Sequence, residues 1–220
     1  MSDAERARGR WYASPIVNVI GFDDGPFPRA HRGPVLLVGA VCAGTRLDGI
    51  VSGRVTRDGT DATRRMVELV RGSQFRAHVR AVLLQGIAVG GFNVVDVREL
   101  AAALAVPVLV VMRRPPDLAA MERALFSDQP RQRPRVRGAR RKWQLIQAAG
   151  AIEMIELRRS RTSGLRGIPH RLWIQRVGLS TDLARRLITS TTLHGHVPEP
   201  LRIAHLIAGG VAEGKSRGRA

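Results

Sequence analysis

The sequence contains little cysteine, few aromatic residues, almost no lysine and no long apolar runs. Of its 220 residues, only Cys42 is a cysteine and 4% are aromatic. A single cysteine cannot form an internal disulfide or a thiolate metal site, so a disulfide framework is excluded. Because Cys42 lies in the apolar segment VLLVGAVCAG, we expect it to be a core residue.

No apolar run approaches the roughly 20 residues that a membrane helix needs. The N-terminal residues 1–14 contain acidic residues and arginines, with no hydrophobic stretch behind them. These absences predict a soluble, cytoplasmic protein without a membrane segment.

What the chain does contain is typical of a globular protein. It is 44% hydrophobic and 25% charged, and a chain of this length can bury a core without disulfides. This composition excludes disordered and collagen-like proteins. We expect one domain over residues 15–213, an N-terminal arm at 1–14 and a basic C-terminal tail at 214–220.

The charge is strongly positive: 36 Lys and Arg against 18 Asp and Glu give a net charge of +18. Such a surplus attracts polyanions, which indicates nucleic acid, although a GC-rich genome would also enrich arginine. The arginines are densest at 131–142 and 158–171. The scarcity of aromatic residues disfavours a single-strand platform that works by base stacking. The residues expected to contact nucleic acid are Arg137, Arg140, Arg141, Lys142 and Arg202.

Hydrophobic periodicity predicts an α/β protein. Strands are expected at 14–25, 35–44, 49–55, 79–86, 106–112, 151–157 and 171–178. Helices are expected at about 61–72, 95–105, 116–126, 141–150, 179–192 and 198–214. The polar segment TRLD should form the turn between the second and third strands. Three strands followed by alternating helices and strands predict a mixed sheet with helices on both faces.

Common catalytic motifs are absent from the sequence. It has no Walker GxxxxGK[ST], no GxGxxG after a strand, no HExxH, no GxSxG and no paired CxxC. The glycine-rich segment GIAVGGFN, residues 86–93, has two interpretations. It could bind an anion through its backbone N–H groups, or its glycines could allow a tight turn beside the site.

Two acidic pairs are candidate metal ligands. Asp23 and Asp24 end the first strand, where adjacent carboxylates would be stabilised by Mg²⁺ or Mn²⁺ or would bond the backbone of a turn. Asp58 and Asp61 precede a helix, where helix capping is the competing explanation.

Three histidines near the C-terminus resemble a metal cluster in composition only. His194 and His196 fall on an expected loop. His205 falls on a helix three residues after Arg202, so the two side chains project from one face. A lone histidine in this setting is also compatible with a structural role.

Several segments carry a resemblance to a known family. They are IGFDDGPF, VSGRVTRDGTDAT, VLLQGIAVGGFNVVD, PVLVVMRRPPDL, TSTTLHGHVPEPLRIAHLIAGG and the tail SRGRA. Together they resemble the DUF99 family, a largely archaeal sister group of endonuclease V, over nearly the whole chain. The segment HVPEPLRIAH is similar to the PEPTRxAH ending of endonuclease V.

The resemblance implies a ribonuclease H-like fold and a carboxylate-bound Mg²⁺ or Mn²⁺ that serves phosphodiester hydrolysis near a deaminated base. By motif, Asp23 resembles the metal aspartate of the first strand. Asp61 is similar to the second metal carboxylate, and His205 to the histidine at the metal site. The PYIP loop of endonuclease V has no obvious match.

Position 85 departs from the endonuclease V pattern, since Gln85-Gly86 stands where that family has Asp-Gly. A glutamine offers a neutral carbonyl oxygen and removes one negative charge from the expected site. Asp24, which the endonuclease V pattern lacks, could restore that charge. The expected metal ligands are therefore Asp23, Asp61, Asp24 and Gln85, with Asp23, Asp61 and His205 as catalytic residues.

These observations lead to one functional hypothesis and two alternatives. The hypothesis is a metal-dependent endonuclease acting on DNA or RNA near a deoxyuridine- or inosine-type base, as in DNA repair. The first alternative is a nucleic-acid-binding protein of the same fold that has lost catalysis. The second is a protein-interaction or ribosome-associated domain whose basicity reflects coding bias. The oligomeric state is left open.

Overall fold

A computed structural model describes residues 18–127, 136–157 and 170–217 of the chain. The expected N-terminal arm lies outside the described residues, as do residues 131–135 and 158–169 of the two arginine-rich segments. Within the described ranges the chain forms nine strands and six helices. The strands are β1 Asn18–Asp24, β2 Pro34–Ala43, β3 Arg46–Thr56, β4 Ala81–Gln85, β5 Ala88–Val89, β6 Asn93–Val94, β7 Val108–Met112, β8 Glu153–Leu157 and β9 His170–Val177. The helices are α1 Ala62–Arg71, α2 Val97–Leu104, α3 Leu118–Phe126, α4 Ala139–Ala148, α5 Thr181–Thr191 and α6 Glu199–Glu213.

Seven strands form one mixed sheet in the order β3-β2-β1-β4-β7-β9-β8. Strands β1, β4 and β7 run parallel at its centre, and β2, β3, β9 and β8 complete it through antiparallel pairs. The two-residue strands β5 and β6 pair separately. This is the mixed sheet that the order of predicted elements indicates.

Alternation along the central strands sends side chains into two cores, one on each face of the sheet. On one face, Ile20 and Phe22 of β1 join a cluster that includes Met66 of α1 and Leu100 of α2. On the other face, Val19 of β1 joins a cluster that includes residues of α5 and α6. The central strands are therefore buried on both sides, and the helices cover both faces as predicted.

Gly21 sets the distance between β1 and α6. A Cβ at this position would lie 2.5 Å from the carbonyl carbon of Pro200 and 2.7 Å from the nitrogen of Leu201. The backbone at the start of α6 thus packs directly on β1, which only glycine permits. This close approach fixes the start of α6 beside the strand that ends at Asp24.

Predicted element boundaries agree with the structure to within a few residues, with one clear error. The turn between β2 and β3 is formed by Gly44 and Thr45 and not by TRLD. Strand β3 begins at Arg46, earlier than predicted, so it includes most of TRLD. Gly44 has a φ of +62°, which is typical of a tight hairpin turn. The glycine-rich segment at 86–93 contains most of the small β5–β6 hairpin.

Cys42 is fully buried, which confirms it as a core residue, and burial raises the pKa of its thiol to about 12. In the described ranges no helix combines the length and apolarity needed to cross a membrane.

Candidate metal and nucleic-acid site

A cleft of about 860 Å³ opens at the carboxyl ends of β1 and β4. Because these strands are parallel and Phe22 pairs with Leu84, the next residues, Asp23 and Gln85, reach the same edge of the sheet. Asp23, Asp24, Gln85 and His205 all line this cleft, which we call the carboxylate cleft. The structure therefore brings together four of the residues that the sequence nominates. Ligands commonly bind at such an edge, where neighbouring strand connections diverge.

Asp23 and His205 form the central contact of the carboxylate cleft. The His205 Nδ1–H group donates to Oδ2 of Asp23 at 2.8 Å, and Asp23 is only 7% exposed. The hydrogen bond with Asp23 raises the pKa of His205, burial opposes it, and the charges of Asp23 and Asp24 add to the increase. Asp23 therefore favours the imidazolium form of His205 more than solvent does for an ordinary histidine.

Asp24 is held by the glycine-rich segment. Its Oδ2 accepts a hydrogen bond from the backbone nitrogen of Gly90 at 3.0 Å. Burial and the charge of Asp23 raise the pKa of Asp24 to about 6, against an ordinary value of 3.8. Two adjacent carboxylates thus occupy a site in which ionisation of the second is costly unless a cation compensates it.

Gln85 presents an unused acceptor to the same site. Its Oε1 is buried and has no hydrogen-bond partner in the described part of the chain. A buried acceptor without a partner costs free energy, and a bound cation or water would satisfy it. A carbonyl oxygen is also a ligand that Mg²⁺ accepts.

The donor set fits a divalent cation of the hard, oxygen-preferring class. Two carboxylates and one amide oxygen supply charge and oxygen atoms, and Mg²⁺ commonly binds through one or two carboxylates while retaining water. No group of three or more His, Cys, Asp and Glu side chains is arranged for metal binding within the described ranges. The fit therefore depends on Asp23, Asp24 and the neutral oxygen of Gln85.

Asp61 lies in a different cleft, of about 560 Å³, which also contains Thr56, Arg57 and Arg137. Its Oδ1 accepts from the Asn93 side chain at 2.6 Å, and its Oδ2 accepts from Oγ1 of Thr56 at 3.0 Å. Burial acts to raise the pKa of Asp61, but these hydrogen bonds outweigh it and hold the pKa below its ordinary value. Asp61 is therefore occupied in joining the end of β3 to β6, and the structure does not place it with Asp23. Helix capping was the competing explanation for Asp61, but its side chain makes no capping hydrogen bond to α1.

The glycine-rich segment contacts one acidic residue of each cleft, Asp24 and Asp58. Besides donating to Asp24, Gly90 accepts a hydrogen bond from the backbone nitrogen of Asp58 at 2.8 Å. The Asp58 carboxylate accepts in turn from the nitrogen of Phe92 at 2.8 Å. Gly90 and Gly91 have φ values of +56° and +83°. The segment thus turns tightly beside the site, with its N–H groups at Gly90 and Phe92 directed to the protein's own carboxylates.

The other two histidines lie apart from the carboxylate cleft. The nitrogen of His194 donates to Oε1 of the buried Glu199, and the ring of His196 packs edge-on against His170 at 5.1 Å. His205 is thus the histidine of the three that lines the cleft with Asp23.

The expected nucleic-acid contacts separate into buried, paired and available side chains. Lys142 is 1% exposed and its Nζ donates to the carbonyl of Asp58, so as placed it cannot reach a phosphate. Burial lowers its pKa, which the charge of Asp58 opposes. Arg202 donates twice to Oε2 of Glu199, at 2.9 and 2.6 Å.

Three arginines of the 131–142 segment lie in described positions. Arg141 pairs with Asp96 at 3.6 Å. Arg137 lines the cleft that contains Asp61, and both Arg137 and Arg140 line a third cleft beside α3 and α4. Arg137 and Arg140 are thus the better placed of the predicted set for contact with a polyanion.

Two parts of the carboxylate cleft were missed by reasoning from the sequence. Its wall includes Phe27, over which Arg57 stacks at 5.4 Å, and the C-terminal residues Lys215, Ser216 and Arg217. The basic tail was visible in the sequence as composition. No periodicity or motif indicated that residues 215–217 fold back toward Asp23.

Comparisons with known proteins agree on family and fold. A family described as Endonuclease dU matches residues 15–212. A UPF0215 protein of Deinococcus radiodurans is 45% identical over 204 residues, covering 93% of each chain. Another from Methanothermobacter thermautotrophicus is 39% identical over 208 residues, covering 93% of this chain and 92% of the relative.

Two solved structures extend the comparison to the fold. A protein of unknown function from Archaeoglobus fulgidus superimposes with a TM-score of 0.73 at 29% identity, covering 90% of this chain and 99% of that one. The second is endonuclease V of Ciona intestinalis in complex with DNA containing an inosine followed by a ribo-adenosine. It superimposes with a TM-score of 0.54 at 11% identity, covering 91% of this chain and 90% of that one. The fold is therefore the ribonuclease H-like fold of endonuclease V, as predicted.

Proposed function

Because the chain belongs to the Endonuclease dU family, we propose that it is a metal-dependent endonuclease that hydrolyses a phosphodiester of nucleic acid beside a deaminated base. The base would be of the deoxyuridine or inosine type. The observation that carries the proposal is the convergence of Asp23, Asp24, Gln85 and His205 in one cleft. These residues come from β1, β4 and α6, so packing of the whole domain brings them together.

Asp23, Asp24 and Gln85 would hold the cation through oxygen atoms. When bound, a divalent cation neutralises charge on the scissile phosphate and lowers the pKa of a water molecule. Asp61 is not part of this proposed ligand set, because its oxygens already accept hydrogen bonds from Thr56 and Asn93.

His205 would serve the reaction in two ways. Its Nδ1–H bond orients the Asp23 carboxylate, and the carboxylate in turn favours the protonated ring. A protonated imidazole near the scissile bond can donate a proton to the departing oxygen. The hydrogen bond with Asp23 raises the pKa of His205 and so favours the form that carries this proton.

Gln85 also supports a second candidate function. A nucleic-acid-binding protein of the same fold could retain the cleft while the neutral side chain weakens its hold on the cation. Such a protein would bind the same strands without cutting them.

Cleavage assays separate the two functions. Single-stranded and duplex DNA and RNA containing one central deoxyuridine, uridine or inosine would be incubated with Mg²⁺ or Mn²⁺ and resolved on denaturing gels. We expect the wild type to cut at least one of them, and Asp23→Asn to lose about a hundredfold or more of that activity. Asp48→Asn, an equivalent change on strand β3, is the control.

Binding without cleavage by both the wild type and Gln85→Asp would overturn the enzymatic function and leave the binding protein. Absence of binding to every strand at low salt would overturn both.

A further inference from the structure

Residues 215–217 of the C-terminal tail fold back along α6. Helix α6 ends at Glu213, and the next residue, Gly214, has a left-handed φ of +70° that terminates the helix. Beyond it, the Cβ of Ser216 lies 3.0 Å from the point that a Cβ on Gly209 would occupy, and its Oγ lies 4.0 Å from the equivalent point at Gly210. The two glycines leave room on the helix surface, and Ser216 fills it.

This fold-back places two cations at the carboxylate cleft. Lys215 and Arg217, on either side of Ser216, line the cleft together with Asp23 and Asp24. Both residues are exposed. Within the described ranges neither forms an ion pair with Asp23, Asp24 or Glu213, so their charges are not neutralised by the carboxylates nearby.

The cleft thus has the carboxylates of Asp23 and Asp24 at the end of strand β1, and the cations of Lys215 and Arg217 on the wall formed by the residues after α6. The carboxylates alone would repel a phosphodiester. A divalent cation bound to them would attract the scissile phosphate, but not the phosphates beside it. A nucleic-acid strand carries further phosphates on both sides of the one being cut. Lysine and arginine at the edge are complementary to those flanking phosphates.

We propose that Lys215 and Arg217 bind a backbone phosphate of the nucleic-acid strand next to the scissile phosphodiester. The tail is then a substrate-positioning element of the site, with Ser216 on Gly209 as its anchor. This inference rests on the proposed function and adds residues that the metal-binding set does not contain.

The test compares two double variants of the full chain that remove equal charge. Lys215→Gln with Arg217→Gln removes the tail cations, and Arg185→Gln with Arg186→Gln removes two exposed cations from α5, outside the cleft. Binding of a fluorescein-labelled single strand with one central deoxyuridine would be followed by anisotropy across a salt series. Mn²⁺ affinity of each variant would be measured separately by calorimetry without nucleic acid.

We expect the tail variant to weaken strand binding by about tenfold per lost phosphate contact at about 0.1 M salt, with a shallower salt dependence. Its Mn²⁺ affinity should stay within about twofold of the wild type, because neither residue supplies an oxygen ligand. The α5 variant should keep the wild-type salt slope.

Three results would overturn the inference. If the wild type binds and cuts but the tail variant matches the α5 variant, the tail inference fails and the proposed function stands. If the tail variant loses Mn²⁺ affinity together with strand binding, the tail supports the metal site and not the strand. If the wild type binds no strand, the inference fails together with the proposed function.

Discussion

His205 on the last helix and Asp23 on the first described strand are 182 positions apart in sequence, yet Nδ1 and Oδ2 lie 2.8 Å from each other. This hydrogen bond connects the strand that ends in two carboxylates with the helix packed over it. Because Gly21 lets α6 approach β1 so closely, the contact depends on backbone packing as much as on the two side chains.

The protonation of His205 should depend on Asp23. The hydrogen bond with Asp23 raises the pKa of His205 above its ordinary value of 6.5. The stabilisation from this pair is therefore fully present below about pH 6.5 and lost as the pH rises through the folded value. We expect the stability difference between the wild type and His205→Gln to be larger at pH 6 than at pH 9, as measured by denaturant unfolding in a chelator. An NMR titration of the His205 ring should show a lower pKa in Asp23→Asn. An equal or higher pKa in that variant would contradict the assignment.

Asp24 should destabilise the protein in the absence of a cation. Its pKa is raised from 3.8 to about 6 by burial and by Asp23. Stability due to the neutral form is present below the ordinary pKa and is lost as the pH rises through the folded value of about 6. In chelator at pH 7, we expect Asp24→Asn to be more stable than the wild type by about 1–3 kcal/mol.

Addition of Mn²⁺ should raise the Tm of the wild type more than that of Asp24→Asn. Asp48→Asn, an exchange of the same kind on strand β3, should gain as much from Mn²⁺ as the wild type. A larger gain for Asp24→Asn would remove Asp24 from the ligand set.

Gln85 should limit the affinity for the cation. Its Oε1 is buried without a partner, so Gln85→Glu adds charge in almost the same volume beside Asp23 and Asp24. We expect tighter Mn²⁺ binding by calorimetry, together with lower stability in chelator because three carboxylates then share the site. Gln85→Asp should act in the same direction with a shorter side chain. Gln147→Glu, on the exposed face of α4, is the matched control, and equal Mn²⁺ affinity in all three variants would exclude position 85 as a ligand.

Asp61 should contribute more to the stability of the fold than to the affinity for the cation. Asp61→Asn weakens the hydrogen bonds from Thr56 and Asn93, and we expect a loss of about 1–3 kcal/mol in the free energy of unfolding. Its Mn²⁺ affinity should change far less than that of Asp23→Asn. If both substitutions abolish Mn²⁺ binding equally in a folded protein, Asp61 belongs to the metal site as the family resemblance implies.

Lys142 should contribute to the fold and not to nucleic-acid binding. Lys142→Met removes the hydrogen bond to the carbonyl of Asp58 from a buried side chain, so unfolding should become easier by about 1–3 kcal/mol. The salt slope of strand binding should remain that of the wild type. Arg137→Gln with Arg140→Gln should instead lower the slope by about one unit per lost phosphate contact. A reduced slope for Lys142→Met would show that this lysine leaves its buried position when a strand binds.

Much of the fold could be predicted because its determinants are local. Strands and helices have backbone periodicities of two and 3.6 residues, which follow from local geometry. These periodicities are visible in runs such as VLLVGAV and in the spacing of Met66, Val67, Leu69 and Val70. The burial of Cys42 followed from the same apolar run. The prediction placed the hairpin turn at TRLD, whereas the structure has it at Gly44 and Thr45. The polar residues of TRLD are compatible with either a turn or an exposed edge strand.

The candidate site could be predicted only in part. Asp23 and His205 were nominated by their motifs, and the structure brings them within hydrogen-bond distance. Sequence similarity also nominated Asp61, but its position depends on Thr56 and Asn93, the second of which is 32 residues away. Lys142 appeared in a basic, surface-like segment, although packing of α4 directs it into the interior.

The sequence by itself determined the order of helices and strands, the apolar residues of the two cores and the family to which the chain belongs. Only the tertiary structure decided which charged side chains share a cleft, which are buried and where residues 215–217 lie. The physical reason is the range of the interactions. Periodicity and turn preference act between near neighbours, whereas the partners of a charged side chain are supplied by segments far away in the chain. A carboxylate, a lysine or a basic tail therefore has no defined environment until the sheet and helices have packed.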